Sequence, residues 1–352
     1  MSNNITNVCT EHTGRFQELG VAIENERGVA ENSPDHTFKK SEANFFKRIE
    51  NETIETTVGT VVSSDKVKKI NSRISGDVSM PFYLDSVGYL MANIWGDVTT
   101  SEIEYDDDGT MVGTGVYEHD FTLDDSIKRT TLTVFAKEGE VEEDIAFSGV
   151  CVDSLSINAE QDSVVSMDFD LVGMSQETEA HDYNYEKQID FVGKDLSFVQ
   201  SEDKNGLDSE ANELDVKTID IDFNTGADDN VDYNVSGGYG PNNIFQTEFE
   251  AEVTITLNYT GNELKDLYLN PETRFVRIAM EGDVDLVDAE EVEQPGLFQL
   301  DFYDAQIIDW DRDSSQDDVI VQEITMIATY NLDENSVGKC KIINEIDTYQ
   351  AT

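Results

Sequence analysis

The chain has 352 residues, and its 75 Asp and Glu against 23 Lys and Arg give a formal charge of −52 at pH 7. The length fits two ordinary domains better than one large one. Binding to DNA or RNA by charge is nearly excluded, because carboxylates repel a polyphosphate backbone. The apolar content of 38% is too high for a disordered acidic chain, and no apolar run approaches the roughly 18 residues of a membrane span. We therefore expect a folded protein with no membrane partner.

The N-terminal fifth of the chain differs in charge from the rest. Residues 1–74 hold 11 acids and 10 bases, so nearly all of the negative charge falls on residues 75–352. Residues 1–41 are predicted to form a polar N-terminal arm. We predict a basic patch in a long loop that contacts a neighbouring copy, since like-charged bodies need an oppositely charged patch to meet; a solvated face is the alternative. The basic patch consists of Lys66, Lys68, Lys69 and Arg73.

Apolar residues alternate with polar ones from the end of this segment onward, beginning with Val78, Met80 and Phe82. Such alternation is typical of half-buried antiparallel strands separated by polar turns. Apolar side chains then recur at i, i+3, i+4 and i+7, which predicts a short amphipathic helix over residues 85–96. Further alternation predicts a pair of strands within residues 150–173.

The same order of elements occurs again in the second half of the chain. A strand over residues 253–257 precedes a predicted helix, with Thr260 as its cap and Asn270-Pro271 at its end. Paired strands within residues 298–331 follow. The repeat predicts an internal duplication of a β-rich unit with a flanking helix, the two units meeting near residues 175–195. Chance similarity of two β-rich halves is the alternative.

The residue types that carry most enzyme and metal chemistry are few and scattered. The three cysteines form no C-x-x-C motif, the four histidines show no H-E-x-x-H spacing, and neither a phosphate loop nor a nucleophile elbow is present. Asp309, Asp311 and Asp313 match the start of a calcium loop, but Ser314 and Ile320 replace the Gly and Glu that such a loop needs. We predict a solvated acidic turn there, no catalytic, cofactor or metal site, and no enzyme.

The acid excess itself has two interpretations. Carboxylate-rich, lysine-poor surfaces stay hydrated at high salt, where the Debye length falls to about 3 Å at 1 M and self-repulsion is screened. Alternatively, the acids form a functional surface. The size of the imbalance favours a halophilic origin, and the two interpretations are compatible.

Several segments, taken in order, carry a family pattern: residues 75–82 (SGDVSMPF), 89–96 (YLMANIWG), 117–122 (YEHDFT), 147–157 (FSGVCVDSLSI), 167–173 (MDFDLVG), 298–310 and 317–330. Together they resemble the tail tube proteins (major tail proteins) of long-tailed, siphovirus-like phages. The polar N-terminus, the acidic insert at residues 102–115 and the extreme charge depart from the family pattern. With two later segments, the resemblance covers roughly residues 42–335.

This resemblance implies a mostly β fold of two tandem β-sandwich or barrel domains, at residues 42–180 and 181–345, each with a flanking short α-helix. Residues 346–352 form a C-terminal tail. The implied function is that of a structural virion protein, assembled in the host cytoplasm, whose stacked rings form a non-contractile tail tube with an acidic lumen. Three chains form a ring of six similar domains, and the basic patch falls in the region that commonly contacts adjoining rings.

The resemblance also implies partners: other copies of the chain, the tape measure protein, and the terminator and baseplate proteins at the tube ends. Double-stranded DNA passes through without specific binding. A different class of function stays open, namely a halophilic cell-surface or secreted β-sandwich module that binds a carbohydrate or protein through loops such as residues 225–243. An enzyme ranks third, because among 75 acids no pair of carboxylates stands out.

Overall fold

The structure is a computed structural model that describes residues 17–55, 64–107, 110–138, 144–178, 181–228, 230–234, 238–286, 294–313 and 319–351. Strands dominate it, and the described part of the chain contains two α-helices, α1 (Leu84–Trp95) and α2 (Glu263–Leu269). The prediction of a mostly β fold with two short helices is confirmed. None of the helices in the described ranges is long and apolar enough to cross a membrane.

The strands are numbered in chain order. Those before residue 180 are β1 (Gln17–Ile23), β2 (His36–Thr37), β3 (Glu42–Glu55), β4 (Ser64–Pro81), β5 (Gly96–Asp107), β6 (Thr110–Leu123), β7 (Leu132–Glu138), β8 (Ile145–Glu160), β9 (Ser166–Gly173) and β10 (Ser175–Thr178). Those after it are β11 (Leu196–Ser201), β12 (Val216–Asn224), β13 (Val231–Asp232), β14 (Asn243–Ile244), β15 (Glu250–Asn258), β16 (Arg274–Asp285), β17 (Pro295–Asp313), β18 (Val321–Ala328) and β19 (Gly338–Asn344).

Strand β1 lies in the stretch that was predicted to be a polar arm. It pairs antiparallel with β7 and β2, and its side chains Leu19, Val21 and Ile23 are almost fully buried. The structure differs from the prediction here because three alternating apolar residues suffice for a strand when a partner strand lies alongside. Residues 1–16 are outside the described residues.

Two antiparallel ladders of the first half share the long strand β8. The end of β8 pairs with β9, β9 pairs with β4, and β4 pairs with β3. The beginning of β8 pairs instead with β7 and β10, and β7 pairs with β1. Strand β8 thus passes from one sheet into the other, which places two layers around a common core in the manner of a sandwich.

The second half repeats this pairing order with β17 in the place of β8. The end of β17 pairs with β18, β18 with β15, and β15 with β12. The beginning of β17 pairs with β16 and β19, and β16 pairs with β11. The β5–β6 hairpin, which contains the predicted acidic insert, is an addition to the first half that pairs with β19.

Irregularities of the ladders repeat as well. The register of β8 against β9 shifts between Val152 and Ser154, and that of β17 against β18 shifts between Ile307 and Asp309. A second register shift affects the pairing of β8 with β7 and of β17 with β16 at matching places. Because a bulge bends a strand at a fixed point, both long strands turn from one layer to the other at the same positions.

The two halves are joined edge to edge. Residues 154–160 of β8 pair antiparallel with residues 218–224 of β12. This junction makes one sheet of eight strands in the order β3-β4-β9-β8-β12-β15-β18-β17. The division into domains at residues 42–180 and 181–345 stays a prediction.

Helix α1 begins one residue before the predicted start and is buried apart from Asp85. Its C-terminal carbonyl at Ile94 accepts a hydrogen bond from Nη1 of Arg129 (2.8 Å), and Gly96, at φ 91°, ends the helix in the left-handed region. The Tyr349 hydroxyl donates to the Asp85 carbonyl (2.9 Å). The last described segment of the chain therefore covers a helix of the first half.

Helix α2 is shorter and has no fully buried residue. Its apolar side chains Leu264, Leu267 and Tyr268, the stripe predicted from the sequence, pack against the core while remaining partly exposed. It begins at Glu263 rather than at the predicted cap Thr260. The same local pattern thus gives two helices whose burial depends on what covers them.

Candidate functional site

The β3–β4 hairpin continues past the end of β9, whose pairing with β4 ends at Ile74. We call residues 46–55 and 64–73 the hairpin extension. Pairing continues along it from Arg48 opposite Arg73 to Ile54 opposite Lys66, and residues 56–63, which connect the two strands in sequence, are outside the described residues. Four apolar side chains on it are more than two-fifths exposed: Phe46, Ile49, Val67 and Ile70.

The basic patch lies on this hairpin extension, within strand β4. The prediction of a loop is therefore wrong at these residues. Lys68 stands opposite Glu52 and Lys69 opposite Asn51 in an antiparallel pairing whose register shifts between Glu50 and Asn51. The segment has no strand signal in the sequence because it is polar and basic and shows no apolar alternation, whereas the pairing of its backbone with β3 is enough to hold the strand.

Two members of the basic patch contact the second half of the same chain. Nζ of Lys69 lies 4.8 Å from the centre of the Tyr239 ring, a cation–π distance. Arg73 forms an ion pair with Asp228. Half of the basic patch is therefore engaged in contacts within the chain.

Of the segment at residues 225–243, considered above as a ligand-binding loop, the described residues Asp228 and Tyr239 lie against β4. Besides the two contacts just described, the N–H of Ser72 donates to the carbonyl of Tyr239 (2.7 Å). The loop thus covers the edge of β4 that β9 leaves unpaired. Lys66 and Lys68 are exposed on the hairpin extension.

The outward face of the eight-stranded sheet is acidic. Alternate residues of β4, β9, β12, β15 and β18 point away from the core, and their neighbours of opposite parity, such as Val78 and Ile221, are buried. Burial and the nearby charges of Asp222 and Glu323 raise the pKa of Asp220. The acidic face carries the carboxylates of Asp77, Asp168, Asp170, Asp220, Asp222, Glu252 and Glu323.

The outer strands of this sheet are β3 and the end of β17. Within the described ranges β3 pairs with β4 alone, and residues 309–313 pair with β18 alone. The N–H of Trp310 donates to the Asp309 carboxylate (2.9 Å). Likewise, the N–H of Arg312 donates to the Asp311 carboxylate (2.7 Å). Both edges present backbone groups to which another strand can add.

Asp309, Asp311 and Asp313 therefore do not form the solvated acidic turn that was predicted for them. They belong to β17, with exposed side chains on the acidic face. Asp is depleted in strands, which is why the segment looks like a turn. The available signal was the alternation of the three acids with Trp310 and Arg312.

The described cysteines are structural. Cys151 and Cys340 are fully buried, and burial raises the pKa of Cys151 to about 11 and that of Cys340 well above its ordinary value. Both thiols are protonated at neutral pH and closed off from solvent, so neither is an available nucleophile. Cys9 is outside the described residues. Among the residues that the structure describes, no group of three or more His, Cys, Asp or Glu could hold a metal ion.

Comparison with known proteins supplies the identity of this arrangement. No curated protein matches the chain. A family model described as phage tail tube protein matches residues 18–307, from β1 into β17, and so includes the β8–β12 junction, the hairpin extension and most of the acidic face. Because this match covers most of the sequence, the chain belongs to the phage tail tube protein family and is a structural component of a virion tail.

Proposed function

We propose that the chain self-assembles into rings that stack to form the non-contractile tail tube of a siphovirus-like phage. The observation that carries this proposal is the β8–β12 junction, where two similarly paired four-stranded sheets join edge to edge within one chain. The sheet still has two open edges, at β3 and at the end of β17. A unit that already joins to a similar unit, and whose ends are open, can extend by the same contact until a ring closes.

The two units are residues 42–180 and 181–345 in this proposal, with β1 paired to the first unit and residues 346–352 as a tail. Three chains then supply six similar units to each ring. Assembly takes place in the host cytoplasm, with the tape measure, terminator and baseplate proteins as further partners. Native mass spectrometry of intact single rings released from the tubes tests the stoichiometry of three chains: a ring of six chains would contradict it.

The acidic face lines the lumen of the proposed tube. The opposite face of the eight-stranded sheet is covered by the second layer of strands and by the helices, so the bulk of each chain lies outside the ring. DNA carries one negative charge per about 1.7 Å, and a wall of carboxylates repels it. Genome passage therefore proceeds without sticking or specific binding.

The basic patch connects stacked rings. The hairpin extension leaves the sheet at one end, and the opposite end carries acidic residues at the ends of strands, among them Glu160, Asp162 and Asp313. A head-to-tail stack brings these two ends together and pairs opposite charges. Exposed contacts of this kind are worth about 0.2–1 kcal/mol each, so single substitutions have little effect and several together shorten the tubes.

Charge reversal of the basic patch to Glu tests the stacking contact. The variant carrying all four substitutions is expected to fold but to give short tubes or single rings in micrographs. Lys66→Glu/Lys68→Glu alone separates stacking from the internal contacts of Lys69 and Arg73. The charge-matched control reverses four lysines elsewhere: Lys128, Lys187, Lys194 and Lys217. Full-length tubes from the folded patch variant, with circular dichroism unchanged, would contradict the role.

Electron microscopy of the purified chain at high salt tests the proposed function itself. Rings or tubes with a central channel are the expected result. A monodisperse monomer over a wide range of protein concentration and salt would reject self-assembly and support the alternative, a surface binding module.

A high-salt origin accounts for the charge of the chain. At 0.01 M salt the Debye length grows to about 30 Å, so carboxylates across the whole surface repel each other. The melting temperature and the tube length are therefore expected to fall on dialysis from molar to millimolar salt. A melting temperature that stays constant across this range would argue against the halophilic origin while leaving the tube proposal intact.

A further inference from the structure

We infer that neighbouring chains join through an antiparallel ladder in one defined register, between residues 309–313 of β17 in one copy and residues 44–48 of β3 in the next. The inference rests on the proposed ring and adds to it the strands, the register and the charge pair that select the partner. Its template is the β8–β12 junction inside the chain.

The first step identifies which residues of β17 correspond to the junction residues of β8. Both strands have the same register shift, after Val152 in β8 and after Ile307 in β17. Superposing the two shifts places Ser154 on Asp309. The end of β17 therefore occupies, in the second unit, the position that the junction half of β8 occupies in the first.

The second step identifies β3 with β12. The register shifts align β9 with β18, because these strands pair with β8 and β17 at the shifts. The next pairings, of β9 with β4 and of β18 with β15, then place Asp77 of β4 at the position of Thr254 of β15. Asp77 lies opposite Asn44 of β3, and Thr254 lies opposite Asp220 of β12. Asn44 therefore corresponds to Asp220, and the remaining residues of the two strands follow one by one.

The third step transfers the register of the junction to the open edges. Inside the chain, Ser154 lies opposite Asn224 and Asn158 lies opposite Asp220. Replacing each residue by its counterpart gives the pairs between two copies, written with the β17 residue first: Asp309–Arg48, Trp310–Lys47, Asp311–Phe46, Arg312–Phe45 and Asp313–Asn44.

The faces of the two strands agree with this register. Asp309 and Asp311 are exposed on the acidic face, as are Phe46 and Arg48, while Phe45 is buried on the core side. Each proposed pair therefore joins residues of the same face. A slip by one residue would put every side chain opposite a residue of the other face, so the pleat excludes it.

Charge selects the partner edge. The end of β17 carries three aspartates, whereas β3 carries Lys47 and Arg48 at the facing positions. The internal junction has Ser154 opposite Asn224 at the place where the open edges have Asp309 opposite Arg48. In a chain of charge −52, a cross-strand pair of opposite sign is what lets two copies approach at this edge.

Two backbone N–H groups at the open edge of β17 are bonded to side chains, so they can donate to an added strand instead. The N–H groups of Trp310 and Arg312 donate to the carboxylates of Asp309 and Asp311, whereas their counterparts Leu155 and Ile157 lie opposite β12. When a second copy adds its β3, backbone carbonyls take over these amides. The released Asp309 carboxylate is then free to bind Arg48.

Disulfide cross-linking measures the register. Directly opposed residues of antiparallel strands have Cα atoms roughly 4.5–5.5 Å apart, within the range that a disulfide spans. Asp311→Cys/Phe46→Cys, in a Cys9→Ser background, is expected to cross-link neighbouring chains within assembled rings on mild oxidation. Non-reducing gels should show a covalent ladder that ends at the copy number of the ring.

The matched control is Asp311→Cys/Asn44→Cys, which keeps the same face and moves one cysteine by two residues. It is expected to give several-fold less cross-linked product. Equal or greater yield from this control, or no cross-linking of either variant in rings that microscopy shows to be intact, overturns the register and leaves the tube proposal standing. Absence of rings from the wild-type chain instead rejects the proposed function.

A charge exchange tests the same contact without cysteines. Arg48→Asp, which places two like charges opposite each other, is expected to lower the yield of rings several-fold while the far-ultraviolet circular dichroism stays native, and Arg48→Asp/Asp309→Arg is expected to restore the yield. Rings from the single variant at wild-type yield, or a folded double variant without rings, overturns the Asp309–Arg48 pair.

Discussion

The two halves of the chain place different chemistry at the same point of the same ladder. In the first half Phe135 of β7 lies opposite Ala146 of β8, and both are buried. In the second half Arg277 of β16 lies opposite Asp301 of β17, and the two form a bidentate ion pair, with Nε–Oδ1 at 2.6 Å and Nη2–Oδ2 at 3.0 Å.

This difference teaches that the ladder is held by its backbone and not by a particular side-chain pair. The register shift that precedes the pair in β7 and in β16 is the same in both halves, although an apolar pair has been exchanged for an ionic one. Asp301 is only 2% exposed, and its carboxylate also accepts a hydrogen bond from Gln299. Such a pair is costly to break but can be replaced as a unit.

The largest effect is expected from breaking this ion pair. Arg277→Ala leaves a buried carboxylate without its cation, which is expected to lower the free energy of unfolding by about 3–5 kcal/mol. Arg277→Phe/Asp301→Ala, which copies the first half, is expected to recover most of that loss. Urea denaturation provides the measurement, and a double variant as unstable as the single one would show that the halves are not interchangeable here.

A smaller effect is expected from glycines at the two helices. Gly88 of α1 lies against the Tyr349 ring, and a methyl group there would overlap the ring. Gly88→Ala is therefore expected to cost about 1–3 kcal/mol, despite the better helix propensity of Ala. The matched variant Gly261→Ala, before α2, meets no atom within 4 Å and should be nearly neutral. Equal melting temperatures for the two variants would contradict the close packing of the Tyr349 ring against Gly88 of α1.

The smallest effect concerns the acids in the first turns of the helices. Burial, reinforced by the charge of Glu345, raises the pKa of Asp85 from 3.8 to about 6. The folded state therefore binds more protons than the unfolded state between about pH 4 and pH 6, and the stability that Asp85 contributes is lost as pH rises through this window. Asp85→Asn is expected to stabilise the protein at pH 7 by on the order of 1 kcal/mol.

The corresponding variant of α2 is Glu263→Gln, at an exposed first-turn position. It loses a favourable interaction with the helix dipole and is expected to destabilise by a few tenths of a kcal/mol. The pH dependence of the melting temperature separates the two: it should flatten between pH 4 and pH 6 for Asp85→Asn alone. The Asp85 carboxylate accepts a hydrogen bond from the Asn344 side chain, which opposes the effect of burial. A melting temperature of Asp85→Asn below that of the wild type at pH 7 would mean that this hydrogen bond outweighs burial.

The sequence predicted those parts of the fold that local periodicity encodes. Alternation identified the buried strands around Val78 and Ile255, and helical spacing identified α1 and α2 to within a few residues. It missed the hairpin extension and the end of β17, because Lys66 and Asp311 lie in strands defined by backbone pairing and not by apolar alternation. The edge pairing of β8 with β12 was also beyond it, since residues 154–160 carry no local mark of which strand lies beside them.

The candidate site was predicted only in part, because the sequence shows where basic residues cluster but not which distant residues they contact. Charge asymmetry singled out the basic patch, and the structure puts Lys66 and Lys68 on an exposed extension. The same asymmetry could not separate them from Lys69 and Arg73, which are committed to Tyr239 and Asp228. Contacts between residues far apart in sequence decide which member of a charged cluster remains at the surface.

The contact of Tyr349 with α1 has a consequence for the order of synthesis. Strand β19 pairs with β6, and the Tyr349 ring packs against Tyr89 of α1, so the first half completes its core with a segment that is synthesised much later. A nascent chain leaves the ribosome from its N-terminus, and a domain finishes folding only when all of its segments have emerged. A chain that stops short of Tyr349 therefore leaves α1 partly uncovered, and its first half cannot complete its core.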